Sequence, residues 1–429
     1  MPHTDHRKEL KGAAITIVSI ALSMAALEYT GLLAGPEGWT EDLWLRMAGS
    51  RQPPISDAVV LITIDDATYG ECFHGQSPMN PDMVFSLVDQ VRQLPASVIG
   101  VDILTDSPQT ATAYQALAAK AEPAEPKVVW AAAVDGNKYD AAVPNFFGWL
   151  FGEPTELVIK PSSVLGFDPG ELDLKGILWG PAVYAPQEDE KLRIFPRELG
   201  VSADPKNSNL SVPQETWARV IGDIYCERDL SCRQFSPERR EVFLPWGAGA
   251  LMLKVHDFFS CPAASPRGFT ITRQKLDYLK QRTAGKIVLI GGSFAGSGDF
   301  HPTSRGISPG IEINAHAVEA EISGSGLSEV KPYLNFLMDL ITGAITLLAL
   351  FALQRFWPGA HWFLPLAASL GAAVVLWLAI LLFLGKYYIF SLATVVLGVL
   401  VHKLLELREH HKEEPTHKRR KRRPALHRG

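Results

Sequence analysis

The chain keeps its longest apolar runs at its two ends, and that segregation constrains everything between them. Residues 13–34 form a 22-residue apolar run broken by one charge, Glu28. Three more apolar segments follow near the other end, at 336–353, 362–384 and 388–405. Each reaches or approaches the ~17–25 residues that a helix needs to cross a bilayer. Segment 362–384 holds no charged side chain. Asp339 lies near the start of segment 336–353 and is read as interfacial. The pattern predicts a short start at 1–12, one membrane helix at 13–34, a large domain at 35–335, three membrane helices within 336–405 and a basic tail at 406–429.

Basic residues set the expected orientation. Arg7, Lys8 and Lys11 precede the first segment, and "KRRKRR" at 418–423 stands in the tail. Such flanks stay cytoplasmic, so both termini are expected inside and residues 35–335 outside. That region nets −12 from 38 acidic and 26 basic side chains, whereas the last 27 residues net +6 from ten basic and four acidic ones. An acidic body with a basic tail is not a nucleic-acid-binding pattern. It fits two compartments, with the tail against anionic lipid or an acidic partner. A basic start before an apolar core also marks signal peptides, but no clear small-x-small cleavage site follows the core at 13–27, so a retained anchor is expected.

All four cysteines, Cys72, Cys226, Cys232 and Cys261, fall within 35–335. An oxidising compartment permits disulfides, and Cys226 with Cys232, closing the short loop "CERDLSC", is the expected pair. No C-x-x-C pair supports a zinc site.

The domain itself reads as α/β, a partly parallel sheet flanked by helices. "VVLITI" at 59–64 is a buried strand, and "NPDMVFSLVDQVRQLP" a helix capped by Asn80 with Pro81 in its first turn. "SVIGVDIL" at 97–104 is a second strand, which makes a βαβ unit and implies a parallel pair. A weak helix near 111–121, a third strand "KVVWAAAV", a helix in "ETWARVIGDIY", a strand "KIVLIGG" and a helix "GIEINAHAVEAEI" complete the pattern. The middle, 140–260, is rich in Pro and Gly and weakly patterned.

Ligand crevices of open parallel sheets lie beyond the carboxyl ends of the strands. Asp65 and Asp66 close the first strand, Asp102 and Asp106 the second, and Asp299 and His301 follow "KIVLIGG". Asp65, Asp66, Asp102, Asp299 and His301 are therefore the candidate ligand-binding residues, although an aspartate at a strand end also serves as a turn cap. Several carboxylates together repel unless a cation or hydrogen-bond donors balance them. No cofactor is expected, with a divalent cation as the one option the oxygen-rich set allows. "GGSFAGSGD" lacks the lysine of a phosphate loop and the G-x-G-x-x-G spacing. Ser293 or Ser297 with His301 and Asp299 lacks a nucleophile elbow. His316 is expected at a surface or interface.

Taken in order, "EDLWLRM", "VVLITIDDATYG", "VIGVDIL", "GKIVLIGGSFAGSGDFHPT" and "PGIEINAHAVEAEI" resemble type-2 CHASE domains, the extracytoplasmic sensory domains found with bacterial cyclases and histidine kinases. The resemblance spans almost all of 35–335 and implies one anchor before the domain and a few helices after it. It makes "IDD" at 64–66, Asp102 and "GDFHPT" at 298–303 shared elements of the family. This chain departs from the family in "HGQSPMNP", where relatives carry a Trp-Pro-rich stretch ending in Arg. Relatives commonly continue into a cytoplasmic catalytic domain, but only 24 residues follow Leu405 here, too few to bury a catalytic core.

The resulting expectation is a non-enzymatic, multi-pass sensor of a bacterial inner membrane. It would bind a small molecule or protein outside and signal to a separate effector protein, with a homodimer compatible with that arrangement. An exported metal-assisted hydrolase using the same carboxylates and a membrane scaffold or transporter accessory protein are the competing classes.

Overall fold

A computed structural model describes residues 6–329, apart from internal stretches of which 160–173, 203–210 and 233–240 are the longest, and scattered residues beyond. Helix α1 spans His6–Tyr29 and α2 spans Ala34–Gly49. Residues 13–29 of the first apolar run thus lie in α1 and only Ala34 in α2, and α1 starts early enough to include Arg7, Lys8 and Lys11. Gly31 follows the end of α1 in the sequence, the residue type favoured just past a helix C-terminus.

From there the chain alternates. Strand β1 (Val59–Ile64) leads into α3 (Asp66–Cys72) and α4 (Pro81–Val91), then β2 (Val98–Asp102), α5 (Ala111–Ala119) and β3 (Lys127–Ala132). The weakly patterned middle supplies β4 (Ile177–Pro181), β5 (Leu192–Pro196), α6 (Trp217–Cys226), β6 (Leu251–Lys254) and α7 (Val255–Phe258). The rest of the domain is α8 (Arg273–Thr283), β7 (Ile287–Gly292), the hairpin β8 (Phe300–Thr303) and β9 (Gly306–Pro309), and α9 (Gly310–Ser323).

Six strands form one sheet in the order β6-β1-β7-β2-β3-β4, with every neighbouring pair parallel. The expected βαβ unit is present, but β1 and β2 are not neighbours: β7, nearly two hundred residues downstream, lies between them. Register aligns Thr63 with Gly291 and Gly291 with Asp102, so the carboxyl ends of β1, β7 and β2 lie level. That alignment places the candidate residues along one edge.

All six residues of β1 are buried, as a strand covered on both faces must be. Its alternate side chains serve opposite faces. Val60, Ile62 and Ile64 join Val84, Leu87, Val88 and Val91 of α4. Val59 and Leu61 join Ile221 of α6 and Ile311 and Val318 of α9. Each fully buried aliphatic side chain contributes roughly 1.5–3 kcal/mol before entropy is counted. Asn80 caps α4 by accepting from the Asp82 amide at 3.0 Å. Gly100 of β2 is needed for α6 to pack closely, since a Cβ there would meet Ile221 and Trp217 at 2.6 Å.

Two further sheets have four strands or more. One orders Ser211–Glu215, Glu198–Ser202, Glu156–Ile159 and Tyr139–Ala142; the other is built on β5, β8, β9 and Glu241–Phe243. By compactness the chain divides into two units, one of 42–143 and 155–328, which holds these three sheets, and one of 1–41, 144–154 and 329–429. In the latter, Tyr29 of α1 meets Phe146 edge-on at 5.5 Å. Among the described residues no helix is long and apolar enough to cross a membrane. The apolar segments at 336–405, Asp339 included, lie almost wholly outside the described residues, as does Asp106.

Candidate functional site

The carboxylates at the end of β1 are committed to local structure. Asp65 is the N-cap of α3: its Oδ1 accepts from the Thr68 amide at 3.0 Å and the Thr68 hydroxyl at 2.8 Å. The same oxygen meets His256 Nδ1 at 3.0 Å, and Lys254 Nζ stands 3.6 Å from Oδ2. Burial works to raise the Asp65 pKa, but the two Thr68 bonds and His256 outweigh it and hold the carboxyl at about 2. Asp66 Oδ1 accepts from the Ala295 amide at 2.9 Å, stitching α3 to the loop after β7. His256 Nε2 continues to Asp257 at 3.1 Å. Cys72, at the end of α3, is bonded to Cys261, just past the segment that carries His256. The structure also joins Cys226 to Cys232.

A different arrangement holds at the end of β2. Asp102 Oδ2 accepts from Asn314 Nδ2 of α9 at 2.8 Å. Burial and the neighbouring Asp299 carboxylate raise the Asp102 pKa; the Asn314 bond and the charge of His301 oppose them only in part, and the carboxyl is pushed up to about 7.

Asp299 reaches this position through a tight loop. A 3-10 turn at Ala295–Ser297 ends in Gly298 at φ 69°, a left-handed conformation that glycine adopts without strain. The Asp299 amide then donates to Ser297 Oγ at 3.2 Å, and its carbonyl accepts from the Gly310 amide at 2.8 Å. Its carboxylate lies against the first residue of α9, where a Cβ at position 310 would come within 2.0 Å of Oδ2. A helix N-terminus favours a negative group there. His301 Nε2 meets Asp299 Oδ1 at 2.9 Å.

The cluster is closed on one side and open on the other. Asn314 is fully buried and its Oδ1 has no partner among the described residues, whereas the side chains of Asp299 and His301 are 39% and 30% exposed. Of the five candidate residues, Asp102, Asp299 and His301 come together, while Asp65 and Asp66 take other partners. Ser297 serves as an acceptor for the Asp299 amide, not as part of a nucleophile–base pair. Among the described residues no group of three or more His, Cys, Asp or Glu is placed to hold a metal ion.

Sequence reasoning missed Asn314, Gly310, His256 and Lys254. Asn314 carried a signal, a lone amide three residues from Ile311 and four from Val318 on the apolar stripe of α9. His256 and Lys254 lie in the weakly patterned middle, where no local pattern pointed to them. His316 was expected at a surface or interface; the structure buries it on α9, and burial with the nearby Arg305 lowers its pKa to about 4.

The cluster adjoins the entry helix of the domain. After His301, the turn between β8 and β9 offers the Ser304 carbonyl to Arg46 Nε of α2 at 2.8 Å. Asp42, one turn earlier on α2, is buried against Arg193 of β5 at 2.8 Å and also meets Lys191. A buried ion pair of this kind fixes geometry more than it adds stability.

The family model of the CHASE2 domain matches residues 15–353. No curated protein and no solved structure matches the chain. With four-fifths of its length matched, the chain belongs to the CHASE2 family, a family of sensory extracellular domains.

Proposed function

We propose that the chain is a transmembrane sensor. Residues 35–335 form its domain outside the cytoplasm of a bacterial inner membrane, both termini are cytoplasmic, and the apolar segments at 13–34 and 336–405 are its membrane helices. The stimulus site is the Asp102–Asp299–His301 cluster with Asn314, and the response passes to a separate effector protein. The observation that carries this reading is the physical continuity from the cluster to α2. His301 begins the hairpin whose turn binds Arg46, and α2 follows directly on the first apolar segment. A ligand shifts such an element only by binding its two arrangements with different affinity.

The hydrolase alternative needs a ligand set for its metal, and the described residues offer none. Asp339, an intramembrane carboxylate and the one hint toward a transport role, lies outside the described residues.

Reporter fusions test the topology. A reporter that functions only outside the cytoplasm should be active when joined after Asn335 and inactive after Gly429. The reverse pattern would remove the sensor reading. Arg46→Ala should leave the domain folded while separating the cluster from α2, read as increased hydrogen exchange of α2 alone. If the whole domain exchanges faster, Arg46 holds the fold and carries no signal.

A further inference from the structure

The cluster at the end of β2 has an imbalance that the rest of the edge lacks. Two carboxyl groups, from β2 and from the loop before β8, meet the first turn of α9, Asp102 at Asn314 and Asp299 at Gly310, and the His301 imidazole is bonded to Asp299. Asp102 receives a single neutral donor, the Asn314 amide. Asp299 cannot retreat toward α9, because the space there is already filled to the limit that a glycine permits. An ionised Asp299 against the same helical turn opposes ionisation of Asp102.

Among the described residues, the neighbouring strand ends and the Asp65 region add no further donor to Asp102. Neighbouring β7 presents glycines at this level, Gly291 and Gly292, and β3 ends in Ala131 and Ala132. Asp65 and Asp66, beyond β1, are bonded to Thr68, His256 and Ala295. On α9, Glu312 and His316 respond to Arg305 at the tip of the hairpin.

We infer that Asp102 and Asp299 hold one proton between them, so that the stimulus this site reads is a proton. With the proton bound, the pair carries one negative charge, placed at the α9 N-terminus and hydrogen-bonded to His301. When the proton leaves to solvent through the exposed Asp299 side, two carboxylates face each other. Repulsion then falls on Asp299 and His301, at the start of the hairpin whose turn grips Arg46. The proton site is argued from the placement of both carboxyl groups against the first turn of α9; its role as stimulus rests on the sensor reading.

Infrared difference spectra of the full chain in lipid nanodiscs, between about pH 5.5 and about pH 8.5, test the assignment. The expected result is a protonated-carboxyl band that disappears as pH rises, is absent in Asp102→Asn and persists in Asp65→Asn. Asp102→Asn is isosteric and keeps an acceptor for Asn314, so the fold is expected to survive it. Asp299→Asn should lower the midpoint by at least about one pH unit and His301→Gln should raise it, opposite signs that general loosening would not give. A missing band, a band surviving Asp102→Asn, or a midpoint unmoved by Asp299→Asn would overturn the proposal. If the band titrates as expected while hydrogen exchange of α2 is the same at both pH values, the proton site stands and the sensor reading fails.

Discussion

Two pairs of carboxylates lie on one edge of the same sheet, a strand apart, and their electrostatics are opposite. Asp65 is capped by Thr68 and faced by His256 and Lys254, and its pKa is held at about 2. Asp102 has one amide donor and a second carboxylate for a neighbour, and its pKa is pushed up to about 7. The difference lies in compensation: at Asp65 the two Thr68 bonds and His256 outweigh burial, whereas at Asp102 the Asn314 bond and the charge of His301 are outweighed by burial and a second carboxylate. Position at the crevice edge therefore does not distinguish the two carboxylates, whereas the balance of charge around each does.

The region around Asp65 behaves as scaffold on this account, and removing its ties should cost stability. The largest effect is expected from Cys72→Ser with Cys261→Ser, because the bond joins segments 189 residues apart. A loss of about 2–5 kcal/mol is expected, read as a lowered unfolding midpoint of the full chain. A loss well under that range would mean that α3 is held without the bond. Gly310→Ala acts on the other region. Its Cβ would press on Asp299, so a loss of about 1–3 kcal/mol is expected, together with a lowered Asp102 midpoint as Asp299 is driven away. A stable variant with an unchanged midpoint would show that Asp299 is not confined by α9.

Asp65→Ala removes the α3 cap and should cost about 0.5–2 kcal/mol near neutral pH without moving the Asp102 midpoint. Because the folded pKa of Asp65 lies below its ordinary 3.8, its stabilisation is present above that value and disappears as pH falls toward about 2. For Asp102 the sign is reversed. Its folded pKa exceeds its unfolded 3.8, so stability declines as pH rises from about 4 to about 7 and then levels off. Asp102→Asn should flatten that limb by at most about 1.4 kcal/mol per pH unit. His316, lowered to about 4, works against it: this histidine loses stability as pH falls from about 6.5 to about 4. Unfolding midpoints of His316→Gln across that window should show a steeper decline with rising pH than the unsubstituted chain. An identical slope would mean that His316 is not buried as described.

Much of the fold is legible in the residues. The six-residue apolar run of β1, the Asn80–Pro81 start of α4 and the apolar stripe of α9 each mark their element through local periodicity or capping. Sheet order is not legible, since nothing local in β7 reports that it inserts between β1 and β2; non-local pairing is decided by packing on both faces of the sheet. The candidate site divides the same way. The carboxylates at the strand ends are visible as a pattern, but whether each has a counter-charge depends on residues such as His256 and Asn314, brought in by elements distant in sequence. His316 illustrates the complementary case, a polar residue on the apolar face of a helix whose burial is settled by its tertiary neighbours.

The central claim is that two carboxyl groups on one sheet edge titrate far apart. It is tested most directly by magnetic resonance of isotope-labelled aspartate carboxyl carbons in the full chain, with signals assigned through Asp65→Asn and Asp102→Asn. The account predicts that the Asp102 resonance titrates near neutrality while the Asp65 resonance is unchanged down to about pH 3. Two resonances titrating together near the ordinary aspartate value would contradict it.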